Sequence, residues 1–136
     1  MIELPSSPGM LTVRTDFSSA ASWERLREAL ATPNADGFLP VVDPLDDPRF
    51  TGLSCDEALN RLPHDYQHPL LALADKVTLS SFELPLAVVD LWERPGRSIR
   101  VVAAELWSIE NNLSIANMDF DEFARSVDED GVFRGH

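Results

Sequence analysis

The sequence predicts a single-domain α/β fold, and three observations support this. Strand and helix patterns alternate over the first part of the chain in the order β-α-β-α-β. Pro95 and Gly96 then form a strong turn signal between two apolar segments, which predicts an antiparallel hairpin. Two amphipathic helices follow. We therefore expect a mixed sheet of about five strands, three of them parallel, with two C-terminal helices.

The first strand and helix have clear local signals. β-Branched residues predict a strand over residues 10–15. Trp23, Leu26 and Leu30 share one face of a helix predicted over residues 20–31. The next strand is predicted over residues 38–43, although Pro40 cannot donate a hydrogen bond to a central ladder.

Ser54 and Glu57 match a capping box, which predicts a short helix that ends near residue 62. Residues 70–75 are apolar, as in a parallel strand that is buried on both faces. Residues 76–85 fit either a helical turn or an extended connection. The hairpin strands are predicted over residues 86–92 and 98–102.

The last two helices each carry an apolar stripe. The first is predicted over residues 103–113, with Leu106, Ile109 and Leu113 on one face, and the second begins at Asn117 or Asp119. We expect a flexible N-terminal arm over residues 1–8, one domain over residues 9–130 and a C-terminal tail over residues 131–136. The predicted core includes Leu71, Leu73, Val88, Val101, Leu106, Phe120 and Phe123.

Composition excludes several classes of function. The 136 residues include 23 Asp and Glu against 11 Lys and Arg, a net charge of −12. This sign argues against nucleic-acid binding and against attachment to anionic lipid. The single cysteine, Cys55, cannot form an intramolecular disulfide, which fits a reducing compartment. The sequence contains neither a secretory signal nor an apolar segment of membrane-spanning length, so we expect a cytoplasmic protein.

Three aspartates are the strongest candidates for catalysis. Asp16, Asp43 and Asp75 each follow or end a predicted parallel strand, where α/β sheets bind ligands, and together could hold Mg²⁺. The alternative is that these residues only end strands and start turns. The chain has no glycine-rich phosphate loop, and Lys76 is its only lysine. These absences favour the turn interpretation, so we expect no required metal or cofactor.

Other reactive side chains are assigned structural roles. His64 and His68 have the i, i+4 spacing of a metal pair, but Pro63 and Pro69 enclose them, which predicts a loop with two exposed histidines. Cys55 follows a helix cap but lies beside acidic residues, so we interpret it as a structural thiol. Trp23, Trp92 and Trp107 fit either core packing or the lining of a ligand cavity.

The segment 105–123 is rich in acids and amides and contains no basic residue. The asparagines could simply build a helix–helix turn. Alternatively, this segment is a surface for a basic partner, and we then expect Glu110, Asp121 and Glu122 to face solvent, so that their joint replacement by lysine leaves the fold intact. The predicted partner-binding residues are Glu110, Asn111, Asn112, Asn117, Asp119, Asp121 and Glu122.

Three segments carry a resemblance to a known family. They are the run from Leu106 to Phe123, the motif VRTDFSS at Val13 to Ser19, and VVDLWERPGR at Val88 to Arg97. In these segments the chain resembles a small family of uncharacterised actinobacterial proteins, from about residue 10 onward. The resemblance implies a bacterial cytoplasmic setting and assigns no activity, cofactor or catalytic residue.

Three functions are consistent with the sequence. No catalytic signature names a reaction, which favours a non-enzymatic acidic interaction domain, of the inhibitor or immunity type or an accessory module, for a basic protein partner. The first alternative is a small Mg²⁺-dependent or phosphate-handling enzyme that uses the aspartates at the strand ends. The second is a structural homo-oligomer subunit, such as a homodimer, in which the hairpin completes an intersubunit sheet.

Overall fold

A computed structural model describes residues 2–136 as a mixed sheet covered on both faces. The sheet order is β2-β1-β3-β4-β5-β6, and only β4 runs antiparallel to its neighbours. The predicted mixed α/β class is therefore confirmed, with one strand more than expected. The strands are β1 Met10–Arg14, β2 Val42–Leu45, β3 Leu70–Ala74, β4 Pro85–Asp90, β5 Ser98–Val102 and β6 Val132–Phe133.

Five helices connect these strands: α1 Ala20–Ala31, α2 Cys55–Asn60, α3 Lys76–Ser80, α4 Leu106–Ser114 and α5 Phe120–Ala124. Side-chain caps begin four of them, because a capping oxygen satisfies a backbone amide that has no partner within the helix. The capping oxygens belong to Ser19, Ser54, Asp75 and Asp119. No helix within residues 2–136 is long and apolar enough to cross a membrane.

The second strand lies further along the chain than the sequence predicted. We expected a strand over residues 38–43, whereas β2 spans Val42–Leu45 and residues 38–41 form a loop. Pro44 lies inside β2, which is tolerated because β2 is an edge strand and needs hydrogen bonds on one side only. This shift places the apolar residues 38–41 outside the sheet.

The predicted C-terminal tail contains the sixth strand, which corrects our expectation that ordered structure ends at Gly131. β6 pairs in parallel with β5, opposite Arg100 and Val101. Phe133 is fully buried, and its ring lies 5.1 Å from that of Phe123. Because β6 covers part of the outer edge of β5, the hairpin does not present a free edge along its whole length for pairing with a second copy.

The N-terminal segment contacts the domain through two buried residues. The side chain of Leu4 is buried, and its backbone amide donates to the carbonyl oxygen of Arg61 at 2.8 Å. Ser7 is also buried, and its hydroxyl donates to Asp43. The flexibility that we predicted for residues 1–8 stays a prediction.

Hydrophobic residues fill both faces of the sheet, as expected where parallel strands are covered on both sides. α1 and α4 pack on one face, and α2 lies on the other with Leu4 and Phe50. All seven predicted core residues are buried. The prediction of the core from apolar stripes is therefore confirmed.

Tyr66, the only tyrosine, connects two strands through its hydroxyl group. The hydroxyl accepts from the amide of Leu11 at 2.9 Å and donates to the carbonyl oxygen of Leu70 at 2.7 Å. Burial raises the pKa of Tyr66 to about 12. The interior therefore favours the neutral phenol over the phenolate.

We expect the folded protein to show one phenol titration near pH 12, against about 10 after denaturation. Because the pKa of Tyr66 is raised in the folded state, the neutral phenol contributes its full stabilisation of the fold below pH 10. This contribution is lost as the pH rises from about 10 to 12. Ultraviolet difference absorbance of tyrosinate measures this directly. A folded-state titration near pH 10 would show that the hydroxyl is solvated, and Tyr66→Phe should remove the signal.

Candidate functional site

The predicted acidic surface does not exist as one patch, because Glu110 lies inside the protein. Its residue surface is 2% exposed, which corrects the expectation that it faces solvent. Its carboxylate accepts from the backbone amide of Val41 at 2.7 Å and contacts Nε2 of His68 at 3.0 Å. The role of Glu110 is therefore internal.

His68 is also buried, so the predicted pair of exposed histidines is wrong and only His64 is exposed. Nδ1 of His68 accepts from the backbone amide of Leu70 at 3.1 Å. The ring proton must then be on Nε2, which donates to Glu110. This tautomer satisfies the buried carboxylate, and it leaves no ring nitrogen of His68 available to a metal ion.

Asn111 completes the contact between α4 and the loop 38–41. Its side-chain amide donates to the carbonyl oxygen of Leu39 at 3.2 Å and to Glu110 at 3.1 Å. Together with the bond from Val41 to Glu110, this holds the loop against the helix. Glu110 and Asn111 are therefore positioning residues for the loop.

Two other predicted binding residues close the turn after α4. Asn112 donates to the carbonyl oxygen of Ser108 at 2.8 Å, and Asn117 donates to the side chain of Asn112 at 2.9 Å. Within this turn Ala116 has a φ of 55°, a strained conformation for a residue other than glycine. These contacts match the alternative in which the asparagines build the turn.

Asp121 is already compensated within the protein. Arg97 contacts its carboxylate at 3.1 Å and Arg125 at 2.7 Å. The hydrogen bond from Arg97 is the largest cause that lowers the pKa of Asp121. We expected that replacing Glu110, Asp121 and Glu122 together by lysine leaves the fold intact. Because Glu110 is buried and Asp121 is paired with arginine, this triple replacement should instead perturb the fold.

A smaller set of the predicted residues forms an acidic pocket of about 380 Å³ at the junction of α4 and α5. Among the described residues, none of those lining it is basic. Asp119 and Glu122 form no ion pair within residues 2–136. Trp92, which is 63% exposed, forms one apolar wall. The pocket is lined by Pro69, Asp90, Trp92, Glu93, Leu113, Ala116, Asn117, Met118, Asp119 and Glu122.

Hydrogen bonds hold three of the four carboxylates of this pocket in place, those of Asp90, Glu93 and Asp119. Asp90 accepts from three backbone amides of the turn that follows it, those of Trp92, Glu93 and Arg94. Glu93 accepts from the amide of Phe120 at 2.7 Å. Asp119 caps α5. The pocket is thus a preformed region of negative charge beside an exposed indole ring.

A second depression, the apolar cleft, has a volume of about 460 Å³. Trp107 stacks on Phe38, with ring centroids 4.7 Å apart and planes at 7°. Phe82 extends beside them and is 92% exposed. The lining residues are Ala29, Thr32, Asn34, Phe38, Pro40, Phe82, Glu83, Leu84, Val102, Ala103, Ala104 and Trp107.

Of the three tryptophans, Trp92 and Trp107 line cavities, whereas Trp23 is core. Sequence reasoning missed Phe38 because it was assigned to a strand, and Phe82 because residues 76–85 had no clear periodicity.

A family model described as a domain of unknown function, DUF6924, matches residues 9–136. The chain belongs to the DUF6924 family. The predicted resemblance to an uncharacterised family is therefore confirmed, and its actinobacterial origin stays a prediction. No curated protein matches the chain.

In this DUF6924 member, the three aspartates of the predicted Mg²⁺ site do not meet. Asp43 lies within β2 opposite Leu11, and its carboxylate accepts from the amide of Gly9 at 3.0 Å. Asp16 follows the far end of β1, three strand residues beyond Leu11, so the two carboxylates lie toward opposite ends of this strand. Only Asp16 and Asp75 line a common pocket. Residues 2–136 contain no group of three or more ligating side chains placed for a metal.

Asp75 is bound to Arg100 through both carboxylate oxygens, at 2.8 Å each. Burial acts to raise the pKa of Asp75, but the hydrogen bonds from Arg100 and Thr78 outweigh it, so the pKa lies below the ordinary value. Burial raises the pKa of the neighbouring Cys55 thiol. A protonated thiol is a poor nucleophile, which agrees with the structural role predicted for Cys55.

Proposed function

We propose that this protein is a non-enzymatic interaction domain that binds a basic protein partner through the acidic pocket. The observation that carries the proposal is the pair Asp119 and Glu122, which line one pocket together with the exposed Trp92 and with no basic residue in that lining. The overall charge of −12 favours a partner of opposite sign. We also infer a cytoplasmic setting, which is consistent with the single, half-buried Cys55.

The chemistry of the pocket suits an arginine or lysine side chain. Its cationic head would approach Asp119 and Glu122, and its aliphatic stem would pack against Trp92. An aromatic face attracts a cation by about 0.5–2 kcal/mol, depending on solvent exposure. A carboxylate adds a charge-assisted hydrogen bond, which is stronger than one between neutral groups.

Comparison of charge-matched variants tests the proposal. The test variant carries Asp119→Asn and Glu122→Gln, and the control carries Asp65→Asn and Glu3→Gln, two exposed acids outside the pocket lining. Each removes two negative charges from a net of −12. We expect proteins captured from native lysate by the wild type to be lost by the test variant and retained by the control, and to be basic, with isoelectric points above about 9.

Two results would refute the proposal. In the first, both variants retain the same captured proteins, so that the pocket has no specific role. In the second, the proteins lost by the test variant are acidic or neutral. Trp92→Ala should reproduce the loss without any change in charge.

A further inference from the structure

We propose that the apolar cleft is a separate docking site for an aromatic side chain of a protein segment whose flanking residues are basic. The inference rests on the proposed function only in that the partner is basic. Its observations are independent, since no residue lining the cleft also lines the acidic pocket.

Polar contacts hold the backbone of both walls of the cleft. On one side, Glu110 and Asn111 fix the loop that carries Phe38. On the other, Arg25 donates to the carbonyl oxygens of Phe82 at 3.2 Å and Ser81 at 3.4 Å. Because the backbone of both walls is held, an occupant would have to order little more than side chains on binding.

The loop that carries Phe82 also holds a strained residue. Leu84 has a φ of 53°, and its side chain is buried. A left-handed conformation at a residue with a bulky side chain is strained. The surrounding contacts maintain it, among them the bond from the amide of Ala103 to the carbonyl oxygen of Leu84 at 3.1 Å. The aromatic ring of Phe82 in this loop is exposed to solvent and lines the apolar cleft. Aromatic rings in such positions often act as anchors at protein interfaces.

Charge selects the occupant. Glu83 is the one charged residue among the described residues of the lining, and Asp128 and Asp130 adjoin it through their shared contact with Arg134, so this edge carries three carboxylates around one guanidinium group. A second copy of this chain, with a net charge of −12, would be repelled, whereas basic residues beside an apolar anchor would be attracted. The rim consists of Glu83, Asp128 and Asp130, with Arg25 and Arg134.

Glu83 shows that this rim accepts guanidinium groups. It is bound through both carboxylate oxygens by Arg134, at 2.8 Å from Nε to Oε2. Arg134 also contacts Asp128 at 2.8 Å and Asp130 at 2.7 Å, so three carboxylates surround one cation. Negative charge at this edge is therefore in excess, and a partner's basic residues could share it.

The test uses three capped pentapeptides, Arg-Lys-Phe-Lys-Arg, Arg-Lys-Ala-Lys-Arg and Glu-Asp-Phe-Asp-Glu, titrated into the full chain at physiological salt and followed by NMR. We expect the first peptide to shift the indole resonance of Trp107 and the amides of Ala103 and Ala104. Replacing its phenylalanine with alanine should weaken binding about tenfold, and the acidic peptide should not bind.

Variants separate this inference from the proposed function. Phe82→Ala, at an exposed position, should weaken about tenfold the binding that shifts the Trp107 resonance, whereas Trp92→Ala in the acidic pocket should leave the binding at Trp107 unchanged. Equal binding of the two basic peptides, or shifts at Trp92 in place of Trp107, would overturn the inference. So would a wild-type dimer in light scattering that Phe82→Ala converts to a monomer, since the occupant would then be a second copy.

Discussion

Replacing Phe123 with alanine is expected to lower the free energy of unfolding by about 3–5 kcal/mol. The side chain is fully buried on α5. Its ring contacts those of Phe133 and His136 edge to face, with centroids 5.1 Å apart in both pairs. Truncation would remove both contacts and leave a cavity between α5 and β6, which the rigid sheet cannot close.

Chemical denaturation followed by tryptophan fluorescence measures this loss. Phe82→Ala is the matched control, because it makes the same truncation at an exposed site and should cost less than about 0.5 kcal/mol. A similar midpoint for the two variants would mean that Phe123 does not belong to the core.

Local signals explain why much of the fold was predictable. The capping box of Ser54 and Glu57 lies within four residues, and α2 begins where it indicates. The Pro95-Gly96 turn likewise lies between β4 and β5, which pair antiparallel as expected. Such features depend on neighbouring residues alone, so the rest of the chain does not alter them.

The shifted second strand depended on distant contacts. Residues 38–41 are apolar and match a strand pattern, yet the loop is held by Glu110 and Asn111, about seventy residues later in the chain. A two-residue strand such as β6 is also too short to produce periodicity, so Phe133 gave no signal by itself. Both errors arise where tertiary contacts, not local preference, decide the conformation.

The burial of Glu110 did leave a signal in the sequence. Position 110 follows Leu106 by four residues and precedes Leu113 by three, so it lies on the same face of α4 as the apolar stripe. A carboxylate on such a face needs buried donors, and His68 and Val41 supply them. The prediction missed this because it assigned all acids of the segment to the surface. For Asp119 and Glu122 that assignment is consistent with the structure, in which both line a pocket.

Glu110→Lys is therefore expected to lower the free energy of unfolding by about 3–5 kcal/mol, the cost of an uncompensated charge in the interior. The lysine ammonium would face the Nε2 proton of His68 and the amide of Val41, which are donors without an acceptor once the carboxylate is lost. Released from Glu110, the loop 38–41 should move and uncover Trp107, which Phe38 now covers.

The measurement combines a denaturation midpoint with quenching of tryptophan fluorescence by a neutral quencher. Glu129→Lys makes the same change of charge at an exposed position and should unfold like the wild type. Glu110→Gln keeps one acceptor oxygen and should cost less, about 1–3 kcal/mol. If Glu110→Lys unfolds like Glu129→Lys, the carboxylate does not hold the loop, and the wall of the apolar cleft that carries Phe38 must be positioned by other contacts, such as the bond from Asn111 to Leu39 and the stacking on Trp107.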